Sequence, residues 1–172
     1  MEEKKYAVLI DGDNISSKYL DSILNEMTKY GIATYKRIYC DFTSQQSSKW
    51  RRLVRDSGIQ AMQQFANTVG KNATDSTLII DAMDILYTGN VDGFCIVSSD
   101  GDFTRLAIRL KESGMDVIGM GESKTPRSFR AACTVFTDLE ILYEAESEDD
   151  EISTKGKKPA VKHNVVKVSA VS

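Results

Sequence analysis

Histidine is almost missing from this chain. The only one, His163, lies close to the C-terminus among small and charged residues, which excludes a histidine-based zinc site or a Ser-His-Asp triad from the body of the protein. Cysteine is scarce too. Cys40, Cys95 and Cys133 are an odd number without paired spacing, and each sits in an apolar run. They are therefore read as reduced core residues of a cytosolic protein rather than as disulfides or metal ligands. No apolar run approaches membrane-spanning length, and Met1-Glu2-Glu3-Lys4-Lys5 lacks the apolar region of a signal peptide. A soluble, cytoplasmic protein with no membrane partner is expected. Positive charge is not in excess either. The formal net charge is −3, so no global field draws nucleic acid to the chain, although a local basic rim stays compatible with it.

What is present is a regular alternation. With 172 residues the chain can bury a real core in one domain with appendages. Tyr6 to Ile10 is a continuous apolar run, the mark of a strand covered on both faces. A helix is expected from Ile15 to Tyr30, with Gly31 ending it. Ile32 to Cys40 reads as a second strand, Ser47 to Ser57 as a short helix burying Trp50, and Ile59 to Phe65 as a third strand. A polar loop, Ala66 to Thr74, leads to a helix from about Asp75 to Tyr87. Phe94 to Val97 is the central strand, followed by a helix carrying Phe103, Leu106, Ala107 and Leu110. Met115 to Met120, a short helix with Pro126 in its first turn, and Val135-Phe136 complete the pattern. Strands alternating with helices imply a three-layer α/β/α fold with a mainly parallel, Rossmann-like sheet. The domain is expected to end at 143. Residues 144–172 open with six acids in eight residues and then turn basic, which reads as a disordered charged tail or linker.

The acids are arranged to meet. In a parallel sheet the strands' C-terminal ends share one edge. Asp11 and Asp13 follow the first strand, Asp41 the second, and Asp100 and Asp102 the fourth, while Asp75 opens the helix after the third. Two unit charges about 4 Å apart repel by ~1 kcal/mol in water and by ~4 kcal/mol at an effective dielectric near 20. Several such acids need protons or a cation, and hard oxygen ligands favour Mg²⁺ or Mn²⁺. Such an ion suits phosphoryl chemistry. Plainer roles compete at each position. Asp13, Asp41 and Asp102 are natural helix caps, and Asp75 complements a helix dipole. Asp11 and Asp100 have fewer such alternatives. Asp81, about 120° around the helix from Asp75, is either an outer acid of the site or the buried partner of an arginine.

Three stretches carry a resemblance. Val8 to Asn14, Lys71-Asn72-Ala73-Thr74-Asp75 with Leu78 to Asp81, and Ser98 to Phe103 resemble the signatures of the NYN domain, more narrowly its LabA-like branch. Gly114 to Gly119 and Phe129 to Cys133 extend the likeness over roughly residues 5–143. The resemblance implies a PIN-like fold and a metal-dependent nuclease, most often acting on RNA. By position, the family's metal-binding acids fall on Asp11, Asp75, Asp100 and Asp102, its asparagine on Asn14 and its lysine on Lys71. Asp13 is a departure, an added carboxylate that either joins the site or caps the helix.

On this reading the protein is an endoribonuclease using Mg²⁺ or Mn²⁺. Asn14 with Ser98 or Ser99 positions the attacking water or the scissile phosphate, and Lys71 neutralises charge developing on a phosphate oxygen. Two basic groups are candidates for RNA contact: Lys49, Arg51, Arg52 and Arg55 around Trp50, and Lys124, Arg127 and Arg130 near the last helix. Either is equally a solvated helix face, and Trp50 is read as core rather than as a base-stacking platform. Two other functions stay open. One is a phosphatase of the haloacid dehalogenase type, with Asp11 as nucleophile and Asp13 as general acid. The other is a non-catalytic RNA-binding module. The tail leaves room for a further module or protein partner, and nothing excludes a homo-oligomer.

Overall fold

The computed structural model describes the backbone of residues 2–65 and 73–171, with side chains over 2–65 and 77–155. Six strands form one sheet: β1 (Lys5–Asp11), β2 (Ile32–Cys40), β3 (Gln60–Gln63), β4 (Gly93–Val97), β5 (Asp116–Gly121) and β6 (Val135–Asp138). Their order is β3-β2-β1-β4-β5-β6, and every pairing is parallel. The helices are α1 (Leu20–Met27), α2 (Ser48–Ser57), α3 (Ala73–Thr88), α4 (Thr104–Glu112), α5 (Arg127–Ala132) and α6 (Leu139–Val171). The protein is thus a three-layer α/β/α fold, as the alternation predicts.

β1 and β4 lie at the centre, which explains why their sequences are apolar throughout rather than alternating. Every residue of β4 is buried, as is every residue of β1 after Lys5. Ala7 and Leu9 of β1 and Phe94 and Ile96 of β4 share one core with Leu78, Ala82 and Ile85 of α3, Leu106 and Leu110 of α4 and Phe129 of α5. The intervening Val8, Ile10, Cys95 and Val97 are also fully buried, and by strand alternation they face the opposite layer. Cys40, Cys95 and Cys133 are free and buried, in line with their reading as core residues.

Strand order reverses between β1 and β4. The chain moves outward from β1 through β2 to β3, crosses back to β4, and then builds outward on the other side through β5 and β6. Such a switch point leaves a crevice beyond the strands' C-terminal ends, where open α/β folds bind ligands. Register pairs Ile10 with Val97, so Asp11 and Ser98 leave the sheet side by side.

Several boundaries differ from expectation; β5 is displaced by one residue, to Asp116–Gly121, and α3 begins at Ala73, within the expected loop. The first helix begins at Leu20 rather than Ile15, because Gly12 to Asn14 form a turn, with the Asn14 amide on the Asp11 carbonyl at 3.2 Å, Ser16 is extended, and Ser17–Tyr19 form a 3₁₀ turn. β3 is shorter, Gln60–Gln63, and β6 longer, reaching Asp138. The chain separates into two compact units, Met1–Leu139 and Glu140–Ser172. The second consists of α6 beyond its first residue, running through the charged stretch. Among the described residues no helix is long and apolar enough to cross a membrane.

Candidate active site

Asp11 is the last residue of β1 and only 1% exposed. Its Oδ2 accepts two hydrogen bonds, from Asn14 Nδ2 at 2.8 Å and from Ser98 Oγ at 2.7 Å. Its Oδ1 is buried and has no hydrogen-bond partner. A buried carboxylate oxygen left alone is uncommon and calls for a reason. Burial raises the Asp11 carboxyl from the ordinary 3.8 to about 6, against the two donors that lower it, and the charges of Asp13 and Asp100 push it further up. The site thus holds an acid that is costly to ionise without a nearby cation.

The turn after β4 completes this arrangement. Ser98 is fully buried, its amide bound to the Met120 carbonyl at 2.9 Å. Its hydroxyl, while donating to Asp11, accepts the Asp100 amide at 3.1 Å. Ser99 does something else: its Oγ accepts the Glu122 amide at 2.9 Å and ties the turn to the loop after β5. Gly121 permits this close packing, since a Cβ there would stand 2.6 Å from the Ser98 carbonyl oxygen. Of the two serines, Ser98 is the one at Asp11. Asp100, not Asp102, is the cap of the 3₁₀ turn Gly101–Phe103, its Oδ1 accepting the Asp102 amide at 2.9 Å. Asp102 is exposed and lines a shallow apolar groove with Ile79, Met83 and Leu106.

Asp13 and Asp41 form a neighbouring group at the end of β2. Asp13 caps no helix; its Oδ1 accepts the Asp41 amide at 3.2 Å. Asp41 accepts from the Thr43 amide and hydroxyl and from Gln63 Nε2. Gly12 lies between, its carbonyl accepting Trp50 Nε1 at 3.0 Å. Trp50 is 3% exposed, so it anchors the turn after β1 from inside and offers no stacking face. Asp81 is half-buried and is the partner of an arginine, its Oδ2 lying 3.0 Å from Arg37 Nη1 and 2.7 Å from Tyr39 OH. Burial and the Asp81 charge push the Tyr39 phenol well above its usual range. Sequence alone did not signal Arg37 or Tyr39.

Lys71 lies outside the described residues, as does the side chain of Asp75. The Asp75 backbone is in the first turn of α3, the helix that follows β3, hence on the edge where the strands end. Among the described residues no three His, Cys, Asp or Glu side chains converge as a metal site. The anionic groups near Asp11 are the carboxylates of Asp13 and Asp100, and carboxylate oxygen is the ligand chemistry of a hard divalent ion.

The candidate RNA contacts divide. Lys49 and Lys124 line one cleft of about 790 Å³ together with Asp13, Asn14 and Asp100. Arg52 lies in an adjoining groove beside Lys18 and Asp21. Arg55 and Arg127 are exposed. Arg51 and Arg130 are engaged by the protein itself: Arg51 Nη1 binds the Ser44 carbonyl at 2.9 Å and Ser47 Oγ at 3.0 Å, and Arg130 binds the carbonyls of the loop after β5.

Comparison with known proteins agrees with this architecture. The NYN domain family matches residues 5–140. An uncharacterized protein of Methanocaldococcus jannaschii is 27% identical over 125 residues, covering 69% of this chain and 48% of its own length. The chain therefore spans about half of that relative. A crystal structure of a protein of unknown function from Vibrio parahaemolyticus superposes with a TM-score of 0.65 at 19% identity, over 80% of this chain and 93% of the other. That likeness concerns the fold.

Proposed function

The chain belongs to the NYN domain family, a PIN-like, nuclease-type group, and from that premise we propose that it is a divalent-metal-dependent ribonuclease. Its substrate is single-stranded RNA, cut internally in the crevice between β1 and β4. The observation that carries this is Asp11: buried, with one oxygen doubly bound and the other left without a partner. That pattern suits a carboxylate whose second oxygen faces a cation.

Asp11, Asp75, Asp100 and Asp102 would hold Mg²⁺ or Mn²⁺, directly or through water, with Asp11 and Asp100 at the centre of the crevice. When bound, the ion supplies Lewis acidity at the phosphodiester and a nucleophilic water at neutral pH. The remaining work belongs to the chain. Ser98 and Asn14 fix the Asp11 carboxylate in one orientation, so that no reorganisation is needed during the reaction. Lys49 and Lys124, on the cleft walls, take up phosphate charge of the strand. Lys71, ahead of α3, balances charge on a phosphate oxygen. Asp13, the residue a phosphatase of the haloacid dehalogenase type would use as general acid, has one carboxylate oxygen tied to the Asp41 amide at 3.2 Å.

The test is cleavage of a fluorescent single-stranded RNA in Mn²⁺. Asp11→Asn and Asp100→Asn should each lower the rate by about 100-fold or more while the folded protein persists. Mn²⁺ should raise the melting temperature of the wild type and not that of Asp11→Asn. Full cleavage by both variants would overturn the reading. RNA binding without any cleavage by the wild type would leave a non-catalytic binding module.

A further inference from the structure

Lys124 stands on the loop between β5 and α5, residues 122–126. It lines a hollow with Asn14, Ser99, Asp100 and Pro126, and borders the larger cleft shared with Lys49. Its side chain is exposed, and among the described residues no hydrogen bond or ion pair holds its ammonium. A lysine with four rotatable stem bonds would ordinarily sample a wide volume, so its usefulness depends on the backbone beneath it.

That backbone is held from several sides. The Glu122 amide binds Ser99 Oγ at 2.9 Å, and the Thr125 amide and hydroxyl both return to the Glu122 carbonyl, at 3.0 and 2.5 Å. Arg130 then gathers what is left. Its Nε donates to the Thr125 carbonyl at 3.0 Å, and its Nη2 to the Ser123 carbonyl at 2.8 Å and the Glu122 carbonyl at 3.5 Å. The guanidinium lies 4.5 Å from the Phe136 ring centre, and its Nη2 is 4.0 Å from Asp138 Oδ2. One planar group therefore binds carbonyls on both sides of Lys124. A lysine at position 130 would keep the charge but could not span three divergent acceptors.

We propose that Arg130 is a positioning residue that fixes the loop after β5, and that Lys124 is thereby the ammonium meeting a substrate phosphate oxygen beside Asp100. This rests on the proposed function in taking the substrate to be a phosphodiester, but the anion site is testable without catalysis. Arg130 then acts through the loop it shapes rather than as a cation for RNA.

The experiment titrates inorganic phosphate into the metal-free protein and follows the Lys124 amide by two-dimensional NMR. Wild type should respond saturably. Lys124→Gln should weaken the response about fivefold or more, and Arg130→Lys should do the same despite its unchanged charge. Lys111→Gln, on α4, is the control and should change nothing. With a single-stranded RNA in EDTA, Lys124→Gln should lower the slope of log K against log salt by about 0.7, the value of one contact to a single strand, and Arg130→Lys should follow it. Arg130→Lys that keeps both the phosphate response and the slope would overturn the positioning role. A Lys124→Gln response equal to wild type, or no wild-type response at Lys124, would overturn the site whatever the Arg130 variant does. A normal phosphate response with no Mn²⁺-dependent cleavage would remove the nuclease reading and leave this inference standing.

Discussion

Ser98 Oγ lies 2.7 Å from Asp11 Oδ2, a buried hydrogen bond between residues 87 positions apart. The two meet because β1 and β4 are neighbours in register, Ile10 opposite Val97. Ser98 also accepts the Asp100 amide, so one hydroxyl orients both acids of the crevice. Ser98→Ala should remove a donor that lowers the Asp11 carboxyl and strand the Asp100 amide. The expected outcome is an Asp11 titration above that of wild type, seen by carbon NMR of labelled aspartate. Stability should fall by about 1–3 kcal/mol in urea unfolding. An unmoved Asp11 titration would show that the hydroxyl does not hold it.

Asp11 also contributes to the pH dependence of the metal-free protein, with a sign fixed by its burial. Unfolded, the Asp11 carboxyl titrates near 3.8; folded, near 6. Between those values the native state binds more protons than the unfolded chain, so stability from this group is full below about pH 4 and is lost as pH rises to about 6. The loss amounts to about 3 kcal/mol. Asp11→Asn should flatten this slope, and in EDTA at pH 7 the variant should unfold at higher urea than wild type. Wild-type stability that rises steadily from pH 4 to 7, with Asp11→Asn parallel to it, would contradict the buried-acid account.

Asp81 makes the opposite case, an acid near the site whose work is structural. Its Oδ2 receives both Arg37 Nη1 and Tyr39 OH. Asp81→Ala would leave a half-buried guanidinium and a fully buried phenol without their acceptor, at a cost of about 2–3 kcal/mol. Cleavage per folded molecule should change less than threefold at 15 °C. A loss of cleavage comparable to Asp11→Asn, with normal stability, would return Asp81 to the catalytic site.

How legible the fold and the site were in sequence depended on the range of the interaction. β1 and β4 were readable because strands covered on both faces are apolar at every position, and Asp11 stood out as the polar residue ending such a run. Asp100 and Asp102 exchanged capping roles: the sequence marks Asp102 as the natural cap and leaves Asp100 with fewer such alternatives, whereas Asp100 is the residue that caps. A Ser-Asp-Gly-Asp turn allows either acid to cap the next helical turn, and only the backbone path shows that Asp100 does so. The arginines were the least legible. A guanidinium that binds carbonyls 5 to 8 residues away looks, in one dimension, like one awaiting a phosphate. Nothing in composition or periodicity marks a carbonyl as an acceptor, so the roles of Arg51 and Arg130 emerged only from tertiary structure.

Trp50, the single tryptophan, provides the last prediction. Its ring is buried, and its Nε1 donates to the carbonyl of Gly12, the residue after Asp11. Trp50→Phe should therefore cost about 2 kcal/mol from the lost donor and unfilled volume. It should lower cleavage several-fold by loosening the Gly12 turn, with RNA affinity in EDTA within twofold of wild type. A base-stacking platform would behave in the reverse way, losing roughly 1–3 kcal/mol of RNA binding with stability little changed. Urea unfolding and fluorescence anisotropy on the same two proteins separate the cases, and a large loss of affinity at unchanged stability would place Trp50 on the RNA rather than under the turn.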